Sequence, residues 1–427
     1  MDAKITGGQQ ISGTFTVPGD KSISHRSVML GALAQGTTEV DGFLIGEDCL
    51  STIRCFRALG VDIKLEGTNL TVHGTGKFSS PSEALDVGNS GTTLRLMAGI
   101  LAGQPFTCTI TGDASIQKRP MKRVVSPLSL MGAKISGDYA PVIIEAAQLK
   151  GIRYTMPIAS AQVKSAILLA SLYAEGETII EEPIPSRDHT EIMLGFFGAD
   201  ITKKGNTIIM RGPHELTAKS ISVPGDISSA AFLMAAAAIL PGSHITIENV
   251  GVNPTRTGII HVLMRMGADI RLRNERARCG ELVADIEIRC APLRGATISG
   301  AEIPTLIDEV PIIAAAALFA EGETVIKDAS ELRVKEVDRI QVVADEYNKF
   351  FPGEKEKPIA PQNDGMIIRG GAAVYGAEVD SHGDHRMAMS LSVFALAAQG
   401  DSIVHGVECA DISFPGFYKL FSSMALR

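Results

Sequence analysis

The sequence predicts an α/β protein made of one unit repeated six times, in two groups of three. Three observations carry that expectation. A polar, small-residue loop runs into an apolar helix-like stretch, then Gly and a β-branched strand. This pattern starts afresh at Val17, Asp86, Met156, Val223, Ile303 and Asp380, at spacings of 67 to 80 residues. Such self-similarity marks units that cover one another's apolar faces. Each unit has a second half, an amphipathic helix running into a strand opened by Gly-Ala or Gly-Val, clear from Cys55, Val125, Ile192 and His261. Finally, SAAFLMAAAAIL, PIIAAAALFA and AMSLSVFALAA are apolar all round, as helices enclosed by other elements are.

Each unit thus reads as βαβα with extra strands. A ring of strands and outer helices around buried helices fits the pattern. Six units exceed one core, and the fourth copy, at Val223–Asp226, opens the second group. The N-terminal strand suits either group. The fifth unit carries a charged, Pro-containing insertion from Val342 that reads as an exposed loop, and the sixth second half is the short FYKLFSSM from Phe417.

Of the 427 residues 45% are apolar and 21% charged, ordinary for a globular protein. A net charge of −8 argues against a nucleic-acid or anionic-membrane binder. The N-terminal MDAKITGGQQ has no apolar core of a secretory signal. The longest apolar run, eleven residues from Ala230 to Leu240, is too short to span a bilayer. The six cysteines form no C-x-x-C pair and read as free thiols of a cytoplasmic protein.

The candidate chemistry lies where copies differ. In PGDKSISHR, Gly19 permits the tight turn and Ser22 and Ser24 suit a helix start. The fourth copy keeps Pro-Gly-Asp but has Ile227 in place of Lys21 and Phe232 in place of Arg26. The turn is therefore structural, and Lys21 with Arg26 at a helix N-terminus makes a candidate anion site. GNSGTTLR allows close backbone approach to an anion and is neither a Walker A nor a G-x-G-x-x-G motif. Arg95 there also suits a structural ion pair.

KRPMKR (Lys118–Arg123) holds four cations, either a solvated run or, through Arg119 before Pro120, a defined arginine. SAQVK offers the Ser160 hydroxyl, the Gln162 amide and the Lys164 ammonium, and SRDHT offers Arg187 and His189. Ordinary capping accounts for either equally well. In LIDEVP, Asp308 and Glu309 open an apolar helix, as cap carboxylates or as a partly buried general base. On a helix, VKEVDR puts Lys335 and Glu336 on the face of Arg339. SHGDHR holds His382, Asp384, His385 and Arg386, and its two histidines flanking a glycine make a poor metal site. Converging, these cations suit a ligand with at least two anionic groups.

PGDKSISHR, GNSGTTLR, KRPM, SAQ, LIDE, RVKEVDR and DHRMAM, in this order over nearly the whole chain, resemble the enolpyruvylshikimate phosphate synthase family. DKSISHR and SAQ resemble its class II branch. The resemblance implies a two-domain inverse α/β barrel-like fold with three βαβαββ units per domain. Residues 1–15 would join 226–427 in one domain and 16–225 would form the other, with the active site in a closing cleft between them. It implies transfer of the enolpyruvyl group of phosphoenolpyruvate to the 5-hydroxyl of shikimate 3-phosphate, with release of phosphate and no metal or organic cofactor.

By the same resemblance Lys21 touches both substrates. Ser22, Arg26, Ser160, Ala161, Arg187 and Lys335 hold shikimate 3-phosphate. Gly91, Arg119, Arg339 and Arg386 hold phosphoenolpyruvate, with Gln162 between the two. Asp308 and Glu336 are the acid/base pair, with Lys21 beside them in catalysis. Gly91 stands where the family links a small residue with sensitivity to the inhibitor glyphosate, and Ala161 helps shape that pocket. Ile412 departs from the Lys of many members. The implied partners are these small-molecule substrates, bound by a monomer with no nucleic-acid or membrane partner.

A sister enolpyruvyl transferase acting on UDP-N-acetylglucosamine usually carries a reactive Cys in the loop before Arg-Pro; here that place is near Ala114, and Cys108 falls earlier. A non-catalytic ring-like clamp on nucleic acid would spread basic residues over helix faces, whereas here they concentrate in repeat loops.

Overall fold

Most of the repeated loops end in a residue that caps a helix. The side chains of Asp20, Ser90, Ser160, Asp226 and Asp384 each accept a backbone N–H two or three residues on, satisfying donors that a helix start leaves open. The fifth loop departs. Glu309 stands at the cap position with Pro311 close behind, and its side chain makes no capping bond.

The computed structural model describes residues 1–424. The chain forms two units. An inserted unit comprises Gly19–Val223 with Ala277–Glu281, and a flanking unit comprises Met1–Pro18, Pro224–Arg276 and the chain from Leu282. The inserted unit carries α1 (Lys21–Leu33), α2 (Glu47–Ala58), α3 (Gly91–Leu101), α4 (Lys122–Leu130), α5 (Ala161–Ser171) and α6 (His189–Phe196). The flanking unit carries α7 (Ile227–Ile239), α8 (Gly258–Arg265), α9 (Val310–Leu318), α10 (Arg339–Tyr347), α11 (His385–Ala395) and α12 (Phe417–Met424).

One strand pattern recurs. In one sheet Leu85–Asp86 pairs parallel with Cys108–Thr111, which pairs antiparallel with Val142–Glu145 and that with Lys134–Ser136. Arg153–Thr155, Gly176–Glu181, Thr207–Gly212 and Ile201–Lys204 repeat this order. So do Thr297–Ile298, Glu323–Ile326, Gly365–Arg369 and Ile359–Gln362. In the last sheet Glu378–Asp380 runs parallel to Asp401–His405, whose antiparallel partner is Asp2–Thr6, with Asp2 opposite His405. Ser12–Phe15 pairs with His244–Gly251, so both N-terminal strands lie in flanking-unit sheets.

Every residue of α7, α9 and α11 is buried, and the three pack on one another. In the inserted unit α3 crosses α5 at Gly99, where a Cβ would lie 2.1 Å from the Ala166 carbonyl oxygen; only glycine allows that backbone contact. Gly19 is required for the same reason, since a Cβ would meet the Gly42 carbonyl oxygen at 1.9 Å. The charged insertion is an exposed loop at 352–357. No helix among the described residues is long and apolar enough to cross a membrane.

Candidate active site

In the inserted unit, Asp20 starts α1 by accepting the Ile23 N–H at 2.9 Å. Lys21 stays partly exposed, its Nζ 3.2 Å from Asp48 on α2. Arg26, one turn on, points inward and is buried. It donates to Thr190 Oγ1 at 2.7 Å, Ser165 Oγ at 2.9 Å and the Ser22 carbonyl at 2.9 Å. Burial draws its pKa down to about 10, against the pull of Glu191, Asp20 and Glu281. The two cations of the first loop thus differ in setting, with Lys21 at the surface and Arg26 in a hydroxyl-lined recess. Arg187 is half-buried, and its charge adds to the positive field at Arg26.

A second group gathers where α3 and α5 begin. The side chain of Arg95 donates to Gln162 Oε1 at 2.6 Å, and Gln162 Nε2 donates to Thr92 Oγ1 at 3.3 Å. Arg119 donates to Asn89 Oδ1 at 2.8 Å. Gly91 opens α3 between the two guanidiniums; a Cβ there would lie 3.1 Å from Arg95 Nη1 and 3.3 Å from Arg119 Nη1. Ser160 caps α5, with Ala161 its first residue. A buried chain ties the two loops together: His25 Nδ1 to Thr52 Oγ1, Thr52 to Thr93, and Thr93 to Ser90, each at 2.7 Å. All four side chains are fully enclosed. Burial lowers the His25 pKa to about 3, so the imidazole is neutral at physiological pH.

Two residues of the offered motifs turn away. The Lys164 ammonium is fully buried and bonded to Glu182 at 2.9 Å, Glu191 at 2.7 Å and the Ser186 carbonyl at 3.1 Å. It donates to Glu182 and the Ser186 carbonyl and pairs in charge with Glu191, so its charge is satisfied internally. His189 is buried against Glu281 at 2.7 Å. Neither group is offered to a ligand, because α5 and α6 present those positions to the core.

In the flanking unit, Asp308 lies among three cations. Lys335 Nζ is 3.3 Å from its Oδ1, Arg339 Nη1 is 3.7 Å from the same oxygen and Arg386 Nη2 is 3.9 Å from Oδ2. Arg339 is buried; it pairs with Asp384 at 2.8 Å and Glu336 at 2.7 Å. Its Nη1 makes no hydrogen bond among the described residues. Burial would lower the Arg339 pKa, but Asp384, Glu336 and Asp308 outweigh it and raise it. Burial would raise the Glu336 pKa, but Arg339, His385 and Lys335 hold it well below the usual range. Glu336 is therefore a carboxylate here, with a third of its side chain exposed.

The helix expected over VKEVDR begins later. Asp338 caps α10 through the Ile340 and Gln341 amides, both at 3.2 Å, so Lys335 and Glu336 precede it. Asp384 caps α11 and grips Arg339, which fixes Arg339 beside Arg386. His382 pairs with Glu346 at 3.0 Å. No cluster of three or more His, Cys, Asp or Glu side chains suited to a metal forms among the described residues. Ile412 ends a short 3₁₀ turn and is half-buried. Each unit thus presents cations on helix starts, and the flanking unit adds two carboxylates. Each group of cations can hold an anion, and the carboxylates of the flanking unit can accept a proton from a hydroxyl.

The family model for EPSP synthase (3-phosphoshikimate 1-carboxyvinyltransferase) matches residues 5–421. The chain is 54% identical to a 3-phosphoshikimate 1-carboxyvinyltransferase of Thermoanaerobacter sp. (strain X514), covering 99% of this chain and all of that one. It is 53% identical to one of Brevibacillus brevis, over 98% of each. A 2.37 Å structure of EPSP synthase from Acinetobacter baumannii superposes with a TM-score of 0.89 at 48% identity, covering 100% of this chain and 98% of that one. The enolpyruvyl transferase NikO from Streptomyces tendae shares the fold, with a TM-score of 0.81 at 18% identity, over 99% of this chain and 96% of that one.

Proposed function

The chain belongs to the EPSP synthase family, and from that premise we propose how its two sets of residues divide the reaction. The activity is transfer of the enolpyruvyl group of phosphoenolpyruvate to the 5-hydroxyl of shikimate 3-phosphate, with release of phosphate, in the shikimate pathway.

In our reading Lys21, Ser22, Arg26, Ser160, Ala161, Gln162, Arg187 and Lys335 bind shikimate 3-phosphate. Lys21, Gly91, Arg119, Arg339 and Arg386 bind phosphoenolpyruvate. These residues belong to both units, so the reading requires the units to close on one pair of substrates. All of them come from one chain, so the proposed site needs no residue of a second copy, and we propose a monomer. The net charge of −8 favours a small-molecule enzyme over a nucleic-acid or membrane-surface binder.

The carrying observation is Asp308 at 3.3–3.9 Å from Lys335, Arg339 and Arg386. A carboxylate among cations takes the proton of the attacking hydroxyl, while the cations stabilise the anion that forms. The hydroxyl oxygen bonds to the central carbon of phosphoenolpyruvate as the methylene carbon gains a proton, giving a ketal that bears carboxylate and phosphate. Loss of a methyl proton and cleavage of the carbon–oxygen bond to phosphate restores the double bond. One proton is gained at the methylene carbon in the first step and one is lost from the resulting methyl in the second, so an acid and a base must both reach that carbon. Glu336 is held ionised by Arg339 and suits the removal; the Lys21 ammonium carries protons and suits the delivery.

The test is phosphate release from phosphoenolpyruvate, with shikimate 3-phosphate and UDP-N-acetylglucosamine offered separately. Turnover is expected only with the first, and turnover only with the second would sink the reading.

A further inference from the structure

The fourth loop, which lacks the Lys and Arg of the first, reaches the chemistry by another route. Arg256 of the Asn-Pro-Thr-Arg-Thr-Gly stretch is 2% exposed. Its Nη2 donates to Ser228 Oγ at 2.8 Å and Asp226 Oδ1 at 3.2 Å. The Ser228 hydroxyl in turn donates to Glu309 Oε1. Arg386 Nη1 donates to that same oxygen at 3.4 Å. Glu309 is 1% exposed, and its Oε2 has no hydrogen-bond partner among the described residues. Asp226, Ser228, Arg256, Glu309 and Arg386 all lie in the flanking unit.

We propose that Arg256 is a positioning residue for Arg386, acting through Ser228 and Glu309; this rests on the reading of Arg386 as a phosphoenolpyruvate ligand. A buried carboxylate needs donors, and among the described residues Glu309 has two, both on one oxygen. The Ser228 hydroxyl donates to it and is polarised by the guanidinium behind it. Arg386 is left with a long, weak bond. A bond of 3.4 Å is easily exchanged for a charge-assisted bond to a ligand anion. Without the Ser228 hydroxyl, Glu309 keeps only Arg386 as donor and draws it in. The incoming phosphate or carboxylate then competes with a tight internal ion pair.

The experiment compares Ser228→Ala, Ser228→Thr, Arg256→Lys and Arg386→Lys in steady-state assays on the full-length enzyme. Ser228→Ala is expected to raise KM for phosphoenolpyruvate about five- to thirtyfold, the loss of one hydrogen bond. KM for shikimate 3-phosphate should move less than about twofold. Ser228→Thr should restore most of the loss, and Arg256→Lys, which keeps the charge but not the fork, should shift the same KM in the same direction. Ser228→Ala combined with Arg386→Lys should be no worse than Arg386→Lys alone.

Equal rises in both KM values, or none, overturn the proposal. If Arg386→Lys itself leaves KM for phosphoenolpyruvate unmoved, the assignment of Arg386 fails. If Arg386→Lys raises it and Ser228→Ala does not, the assignment stands and the wiring fails. Should Ser228→Ala not fold, Arg256→Lys decides by the same criterion.

Discussion

Asp308 is the residue on which the chemistry turns. Replacing it with Ala removes the candidate base while leaving Lys335, Arg339 and Arg386 to bind anions. The expected outcome is a kcat lowered by about 10²–10⁴ with affinities changed only a few-fold, checked by steady-state kinetics and direct binding of shikimate 3-phosphate. Near-normal kcat would remove Asp308 from the mechanism. Gly91→Ala places a methyl 3.1 and 3.3 Å from two guanidinium nitrogens. Arg95 and Arg119 must then shift by tenths of an ångström. We expect a higher KM for phosphoenolpyruvate and weaker inhibition by glyphosate, moving together in one assay; unchanged values for both would show that neither ligand reaches this spot. The charged residues of the motifs were legible in the sequence, but their directions were not. Lys164 stands two residues beyond Gln162, yet its ammonium is enclosed by Glu182 and Glu191, acceptors supplied by a later segment. Arg256 gave no signal at all, because a buried arginine is recognised only by the partners that satisfy it.

At the scale of elements, the informative link is the hydroxyl chain from His25 through Thr52 and Thr93 to Ser90. It fixes the start of α1 against that of α3, so the candidate anion sites at Lys21 and Gly91 keep their spacing. Thr93→Val takes one partner from each of the buried Thr52 and Ser90 hydroxyls, which keep His25 and the Thr93 N–H respectively, and should cost about 1–3 kcal/mol in chemical denaturation for the two lost bonds. The same chain has a pH signature. The His25 pKa falls from its ordinary 6.5 to about 3 in the folded protein. Between those values only the unfolded chain binds the proton, so stability falls on acidification, by up to about 1.4 kcal/mol per pH unit. His25→Asn should flatten that part of a urea-midpoint profile below pH 6.5; a profile as steep as that of the parent would discount the buried imidazole. The apolar helices α7, α9 and α11 were legible because burial on every side leaves a compositional mark. The start of α10 was not, since Asp338 as a cap overrides the helical spacing that Lys335 and Glu336 suggested.

For the whole molecule, the proposed division of substrate residues between the two units predicts that a ligand draws those units together. Adding shikimate 3-phosphate should shrink the radius of gyration in small-angle scattering and raise the melting temperature with ligand concentration. An unchanged radius would count against closing units. The six-fold repeat was legible from spacing alone, whereas the strand pairing was not, because a period along the chain does not say which edge each strand joins. That pairing sets a timetable for synthesis. Asp2–Thr6 forms its ladder with Asp401–His405, so it leaves the ribosome roughly 20–80 s before its partner exists, at ordinary translation rates. Meanwhile the whole of the inserted unit has been made and can fold. The early strand must wait beside it without sticking to a neighbouring nascent chain. Its sequence, DAKIT, alternates polar with small or apolar residues and carries a lysine, a composition that discourages premature edge pairing.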